Sequence, residues 1–128
     1  TWSQDVDLAA ENPLKGYKNV MYTLHFYAGT HGDYLREKAR AALKAGLPLF
    51  VSEFGISDAS GNGSLNTKEG NKWMAFLKKN TISYVAWNLS NKSESSALLK
   101  SSVKKTTGWK HSELSAWGMW FVKKTTGK

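Results

Sequence analysis

The sequence predicts an α/β fold built on a parallel sheet, and three observations lead there. Short runs of apolar, aromatic and β-branched residues alternate with segments whose apolar residues recur at helical spacing. Gly, Pro, Asn and Ser punctuate the joins. One run, Leu49-Phe50-Val51-Ser52-Glu53-Phe54-Gly55, is largely apolar, as a strand covered on both faces must be, yet carries a carboxylate near its C-terminal end. Strand, helix, strand, helix in series implies right-handed crossovers and parallel pairing.

Taken in order, residues 5–11 are a short helical candidate closed by Asn12-Pro13. Residues 19–27 are strand-like and stop before Gly29. Asp33 is the expected N-cap of a helix with Leu35, Ala39, Ala42 and Leu43 on one face, and Gly46 ends it at the C′ position. Pro48 opens the next strand, which runs to Glu53, and a Gly/Ser/Asn-rich loop follows over 57–64. Asn66 or Thr67 caps a helix carrying Trp73, Phe76 and Leu77. Residues 82–89 read as a strand, 90–111 as a long polar loop. Ser112 or Ser115 starts a final helix with Leu114, Trp117, Trp120 and Phe121, and the tail, 123–128, is expected to fray. Thr1-Trp2 is the stub of one further strand at the front.

The 128 residues, 41% hydrophobic, suffice for one core and one segment, 1–128, without an inter-domain linker. No long uncharged apolar stretch is present to span a membrane, and no signal peptide is visible. The chain opens Thr1-Trp2-Ser3-Gln4 and is read as processed or cut from something longer. The absence of cysteine excludes disulfides but leaves the compartment open. A net charge of +8 raises nucleic acid as a partner. The lysines are scattered, however, with no arginine-rich stripe and no aromatic RNA-binding signature, so a solvated basic surface is expected, with neither nucleic acid nor membrane as partner.

In parallel βα sheets, ligands bind at the strand C-termini. Those ends carry Trp2, then His25 and Tyr27, then Glu53, then Trp87 with Asn88. A carboxylate beside indoles suits a sugar, whose C–H faces stack on aromatics while its hydroxyls take hydrogen bonds. Each residue has a structural alternative: His25 as a satisfied core histidine, Tyr27 as a strand aromatic, Glu53 paired with a lysine. Trp73, Trp117 and Trp120 at helical spacing are core candidates. The coincidence at four consecutive strand ends is what packing explains poorly.

Four stretches then resemble family 5 glycoside hydrolases, and among them the bacterial endo-β-1,4-glucanases (cellulases). They are Trp2-Ser3-Gln4-Asp5-Val6, His25-Phe26-Tyr27-Ala28-Gly29-Thr30-His31, Val51-Ser52-Glu53-Phe54-Gly55 and Trp87-Asn88-Leu89-Ser90-Asn91-Lys92-Ser93-Glu94. Gly108-Trp109 and Ser112-Glu113-Leu114-Ser115 fit as well. The resemblance implies the C-terminal half, the last four βα units, of a (β/α)8 TIM barrel that cleaves β-1,4-glucans with retention, is secreted to the extracellular space and needs no cofactor or metal. It implies Glu53 as nucleophile, Tyr27 as its hydrogen-bonding partner and His25 as an aid to placing the leaving group. It also implies Trp87 as a sugar platform, Lys92 and Glu94 as hydroxyl binders, and Trp2 as a platform on the leaving-group side.

The departures are specific. The barrel has eight strands in about 250 residues. The family's acid/base glutamate lies in an Asn-Glu-Pro motif, and none exists here; Glu11-Asn12-Pro13 is a different order after the wrong strand. Phe54 stands where many relatives carry tryptophan, and the Trp-rich final helix with its lysine-rich tail is atypical. Retaining hydrolysis needs two carboxyl groups about 5–5.5 Å apart. The missing acid is therefore expected to leave unactivated glucan nearly untouched. A half barrel exposes two sheet edges, so the chain is expected to pair with the missing N-terminal half or with another copy of itself, a homo-oligomer. A glucan-binding module without turnover, and a basic interaction domain with relic motifs, are the competing readings.

Overall fold

The computed structural model describes residues 1–127; the last residue of the tail, Lys128, lies outside the described residues. The elements are α1 (Val6–Glu11), β1 (Tyr22–Tyr27), α2 (Asp33–Lys44), β2 (Leu49–Gly55), α3 (Thr67–Lys79), β3 (Tyr84–Ala86), a 3₁₀ turn (His111–Glu113) and α4 (Ala116–Thr126). The three strands form one parallel sheet in the order β1-β2-β3. The α/β class and the parallel sheet expected from the alternation are present.

Local chemistry explains most boundaries. In α2, Leu35, Ala39 and Ala42 fall on one buried face, and Gly46 at φ +86 ends the helix. Gly32, not Asp33, is the N-cap; Asp33 sits in the first turn, where a carboxylate favours the helix dipole. Asn66 caps α3 by accepting from the Glu69 amide, and Ser115 caps α4 by accepting from Gly118.

Three elements depart from expectation. The third strand is Tyr84–Ala86, shorter than 82–89, because β2 offers it only a short ladder before the chain leaves the sheet. Thr1-Trp2 joins no strand; one backbone bond, from the His25 amide to the Ser3 carbonyl at 3.2 Å, ties the segment just after it to β1. The helix at the end runs to Thr126 rather than fraying from 123, with Trp120 under the Lys124 ammonium at 5.8 Å. The polar stretch after 90 is also less loose than its composition suggests. Ala97, Leu99 and Val103 are buried there, and Leu99 bridges to Leu114.

The core lies between the sheet and helices α2, α3 and α4. Leu24 and Phe26 of β1 and Val51 and Phe54 of β2 are fully buried. Phe26 stacks on Trp73 of α3 at 4.0 Å, and Phe54 meets Trp117 of α4 edge-on at 5.4 Å. Arg36 is the one buried cation among the described residues; its guanidinium lies 5.1 Å over Trp73 and 2.6 Å from Glu69. Burial opposes ionisation of Glu69, but hydrogen bonds from Arg36 and Lys72 outweigh it and hold the carboxyl below its usual range. In the strands, the alternate residues Thr23, Ser52 and Val85 are exposed. The sheet is thus sealed by helices on one side and open on the other.

Candidate active site

The open side carries the candidate chemical groups, and the register of the sheet puts them there. Thr23 pairs with Phe50, but His25 pairs with Glu53: two residues of β1 match three of β2. Against β3, Val51 pairs with Tyr84 and Phe54 with Ala86, the same surplus. The extra residue therefore sits in β2 at Ser52-Glu53. A bulge re-aims side chains that would otherwise alternate. Here it brings two consecutive residues onto one histidine: Ser52 Oγ lies 2.9 Å from His25 Nε2, and Glu53 Oε2 lies 3.7 Å from His25 Nδ1.

Tyr27 completes the group. Its phenol donates to Glu53 Oε1 at 2.6 Å. Burial first, then the hydrogen bond to Glu53 and the charges of Glu53 and Glu94, push the phenol well above its ordinary range. Tyr27 is therefore a permanent donor at neutral pH. Gly55 makes room for it: a Cβ there would meet the Tyr27 ring at 2.9 Å. Gly29 does the same for the turn beyond, where its amide donates to the Ser57 carbonyl at 2.7 Å and a Cβ would collide with that backbone.

His31 backs this arrangement. Its Nδ1 accepts the Tyr27 amide at 2.8 Å, and its carbonyl accepts the Trp73 indole N–H at 2.7 Å. Burial lowers its pKa, so the ring is neutral and can accept. Gln4 Nε2 donates to the His25 carbonyl at 3.2 Å. That segment is anchored by Lys38, whose ammonium meets Asp5 at 2.8 Å and Asp7 at 3.6 Å. The Lys38 hydrogen bond is the main reason the Asp5 carboxyl sits below its ordinary range.

Trp2, His25, Tyr27 and Glu53 line one cleft of about 590 Å³, joined by Gln4 and His31. Trp2 is 75% exposed, free to meet a ligand with its indole face. Trp87 and Lys92 lie outside the lining of that cleft. Trp87 is 45% exposed, and its backbone is pinned by its amide to Phe54 and its carbonyl to the Trp117 indole. Lys92 and Glu94 line a second depression with Asn62 and Ser95. Glu94 nevertheless ties back to the rim, accepting from Ser96 Oγ at 3.0 Å and from Asn88 at 3.5 Å. Sequence reasoning missed Gln4, His31 and Ser52. His31 had a visible signal, a histidine four residues after Tyr27 directly before a glycine; Ser52 had none without the bulge. No group of residues suited to a metal is found among the described residues.

The family description that matches is Cellulase (glycosyl hydrolase family 5), over residues 1–93. An endoglucanase of Clostridium saccharobutylicum is 53% identical over 127 residues, 99% of this chain and 28% of that protein. Endoglucanase 5 of Pectobacterium carotovorum subsp. carotovorum is 48% identical over 118 residues, 92% of this chain and 23% of that protein. The chain thus spans about a quarter of the length of the curated relatives it matches. Among solved structures, a thermostable, halotolerant GH5 cellulase from an Icelandic hot-spring isolate superposes with a TM-score of 0.93 at 36% identity, covering 98% of this chain and 42% of that one. The catalytic domain of a Thermobifida fusca endoglucanase in complex with cellotetraose gives 0.77 at 29% identity, covering 88% and 37%.

Proposed function

The chain belongs to glycosyl hydrolase family 5, the cellulase family, and from that premise we propose that it carries the nucleophile side of a retaining endo-β-1,4-glucanase site. The observation that carries this reading is Glu53 held by Tyr27 at 2.6 Å in a cleft lined by Trp2 and His25. In this reading Glu53 attacks the anomeric carbon of a β-glucan and forms a glycosyl-enzyme ester. Tyr27 engages Oε1 and so leaves Oε2 as the attacking oxygen, beside His25. Trp2 stacks on the leaving-group side and Trp87 beneath the sugar at the cleaved bond, while Lys92 and Glu94 bind hydroxyls farther along. An extracellular location fits a polymeric substrate that cannot enter a cell.

The second carboxyl of the pair, the acid/base, is not in these 128 residues. General acid catalysis supplies about 10²–10⁴-fold. The chain, in this reading, comes from the C-terminal half of an eight-stranded barrel, with three strands formed rather than the four expected, and β1 and β3 are the edges where other strands would pair. The rest of the barrel, or a second copy of the chain, is the partner. The alternative is a fragment that binds glucan without turning it over; the exposed Trp2 and Trp87 favour it as far as they go.

Three experiments decide. On carboxymethyl-cellulose, release of reducing ends by the wild type and not by Glu53→Gln marks an enzyme by itself, whereas affinity without release marks the binding fragment. An activated 2-fluoro-cellobioside needs no general acid, so intact mass should show one label on the wild type and none on Glu53→Gln. Labelling at another residue overturns the assignment. Light scattering that finds only a stable monomer removes the self-association partner.

A further inference from the structure

We infer that Ser52 is a positioning residue for the Glu53 centre: its hydroxyl donates to His25 Nε2 and holds the imidazole as its Nδ1–H tautomer, with that N–H facing Glu53. The inference rests on the reading of Glu53 as nucleophile only for its kinetic consequence; the tautomer is a property of the folded chain.

The argument is one of donors and acceptors. A neutral imidazole carries one N–H and one bare nitrogen, and its neighbours select which is which. On one side lies Glu53 Oε2 at 3.7 Å, an oxygen of an acceptor-only carboxylate whose other oxygen already takes the Tyr27 proton. A bare Nδ1 there would set lone pair against lone pair; an N–H there is attracted. On the other side lies Ser52 Oγ at 2.9 Å from Nε2. With the proton on Nδ1, Nε2 is the acceptor and the serine hydroxyl must donate. The carboxylate selects the tautomer, and the hydroxyl, able to donate or accept, completes it by donating and holds the ring in that orientation.

The bulge is the independent observation. In a regular strand Ser52 and Glu53 would project to opposite faces and could not share one ring. The surplus residue in β2, seen against both β1 and β3, is what permits it. The other charged and titratable groups near the ring are few. Tyr27 follows on the same strand, neutral through its raised pKa, and contacts the same carboxylate. The segment before α1 offers Gln4, which is neutral and binds the His25 carbonyl rather than its ring. His31 is held the opposite way: the Tyr27 amide takes its Nδ1, so its proton is on Nε2. One cleft then holds two histidines whose ring partners favour opposite tautomers.

Ring nitrogen shifts in ¹⁵N-histidine-labelled protein read this directly, on the chain as it exists and without catalysis. The expected result is Nδ1–H for His25 and Nε2–H for His31. In Ser52→Ala, Glu53 alone biases the ring and water meets Nε2, so the Nδ1–H share of His25 should fall while remaining the larger one, and Ser52→Thr should keep the wild-type signature. His31 serves as the folding control in each variant. His25 found as Nε2–H in the wild type, or unchanged in Ser52→Ala, overturns the inference. In the 2-fluoro-cellobioside assay, Ser52→Ala should slow labelling about tenfold with little change in the ligand concentration for half-saturation, the pattern of disturbed orientation. If the tautomers behave as stated but no variant, wild type included, is labelled, the nucleophile reading fails and the Ser52 inference stands.

Discussion

The same strands build two regions that obey different rules. Toward the helices, β1 presents Leu24 and Phe26 and β2 presents Val51 and Phe54, all fully buried against Trp73, Leu77 and Trp117. Toward the open side, the neighbouring positions present His25, Ser52 and Glu53, half-buried or exposed. In the core, stability follows volume and area, and residues of similar shape can substitute. On the rim, function follows a few donor–acceptor distances between 2.6 and 3.7 Å, and no substitute of similar volume reproduces them. His31 is one link between the two regions: it accepts from the Tyr27 amide with its ring and from the Trp73 indole with its carbonyl.

The comparison can be broken or sharpened by substitution, taken here from the largest effect down. Glu53→Gln should abolish covalent labelling, by more than ~10³-fold, as removal of a nucleophile does. Its urea midpoint should stay near that of the wild type; a large loss of stability would mean that Glu53 is structural. Trp73→Ala should do the reverse, costing about 3–5 kcal/mol in urea unfolding, since a fully buried indole leaves a cavity. If its labelling rate also falls after correction for the folded fraction, the His31 link transmits core packing to the rim. If not, the regions are independent.

Tyr27→Phe removes a hydrogen bond to a charged group, about 1.5–3 kcal/mol, and should slow labelling roughly 10- to 100-fold while the ring remains in place. The pH dependence gives a second handle on the same residue. The folded-state pKa of Tyr27 lies above the model-peptide value of 10.0, so its contribution to stability is full below that value and is lost as pH rises through the folded-state pKa. Ultraviolet titration should show one tyrosine that ionises later than the rest, absent in Tyr27→Phe. Last, Asn66→Ala removes the cap of α3 and should cost about 1 kcal/mol in urea unfolding without changing labelling. A change in labelling there would show that the rim senses the helix layer more widely than through His31.

Much of this was legible in the chain. The alternation of strands and helices, the Gly46 stop and the caps, narrowed to Asn66 or Thr67 and to Ser112 or Ser115, depend on local propensity and periodicity, which act within a few residues; the folded chain uses Asn66 and Ser115. Glu53 and Tyr27 were legible for a related reason: an ionisable or polar group at the end of an apolar strand stands out against its neighbours. Trp87, Lys92 and Glu94 were visible as residues but not as a place. Trp87 and Lys92 fall outside the lining of the Glu53 cleft, because the route of the chain after β3 is set by bonds to distant partners, such as Asn88 to Ser96 and Leu98, and Ser115 to Leu98. Ser52 was invisible, since nothing in a run of seven residues announces that one is surplus to the ladder.

Amino-acid order alone therefore carries the α/β class, the positions of the main elements and the carboxylate at a strand end, because these follow from patterns that short-range physics reads; the pairing of Glu53 with Tyr27 was implied by the resemblance to a known family. Membership of the cellulase family was written in the same motifs. The meeting of Ser52, His25 and Glu53 belongs to the folded sheet. It arises from a bulge fixed by pairing with two other strands, whose paired residues lie 27 or more positions away in the chain. Such register is a compromise among long-range contacts, and it exists only once all three strands lie side by side.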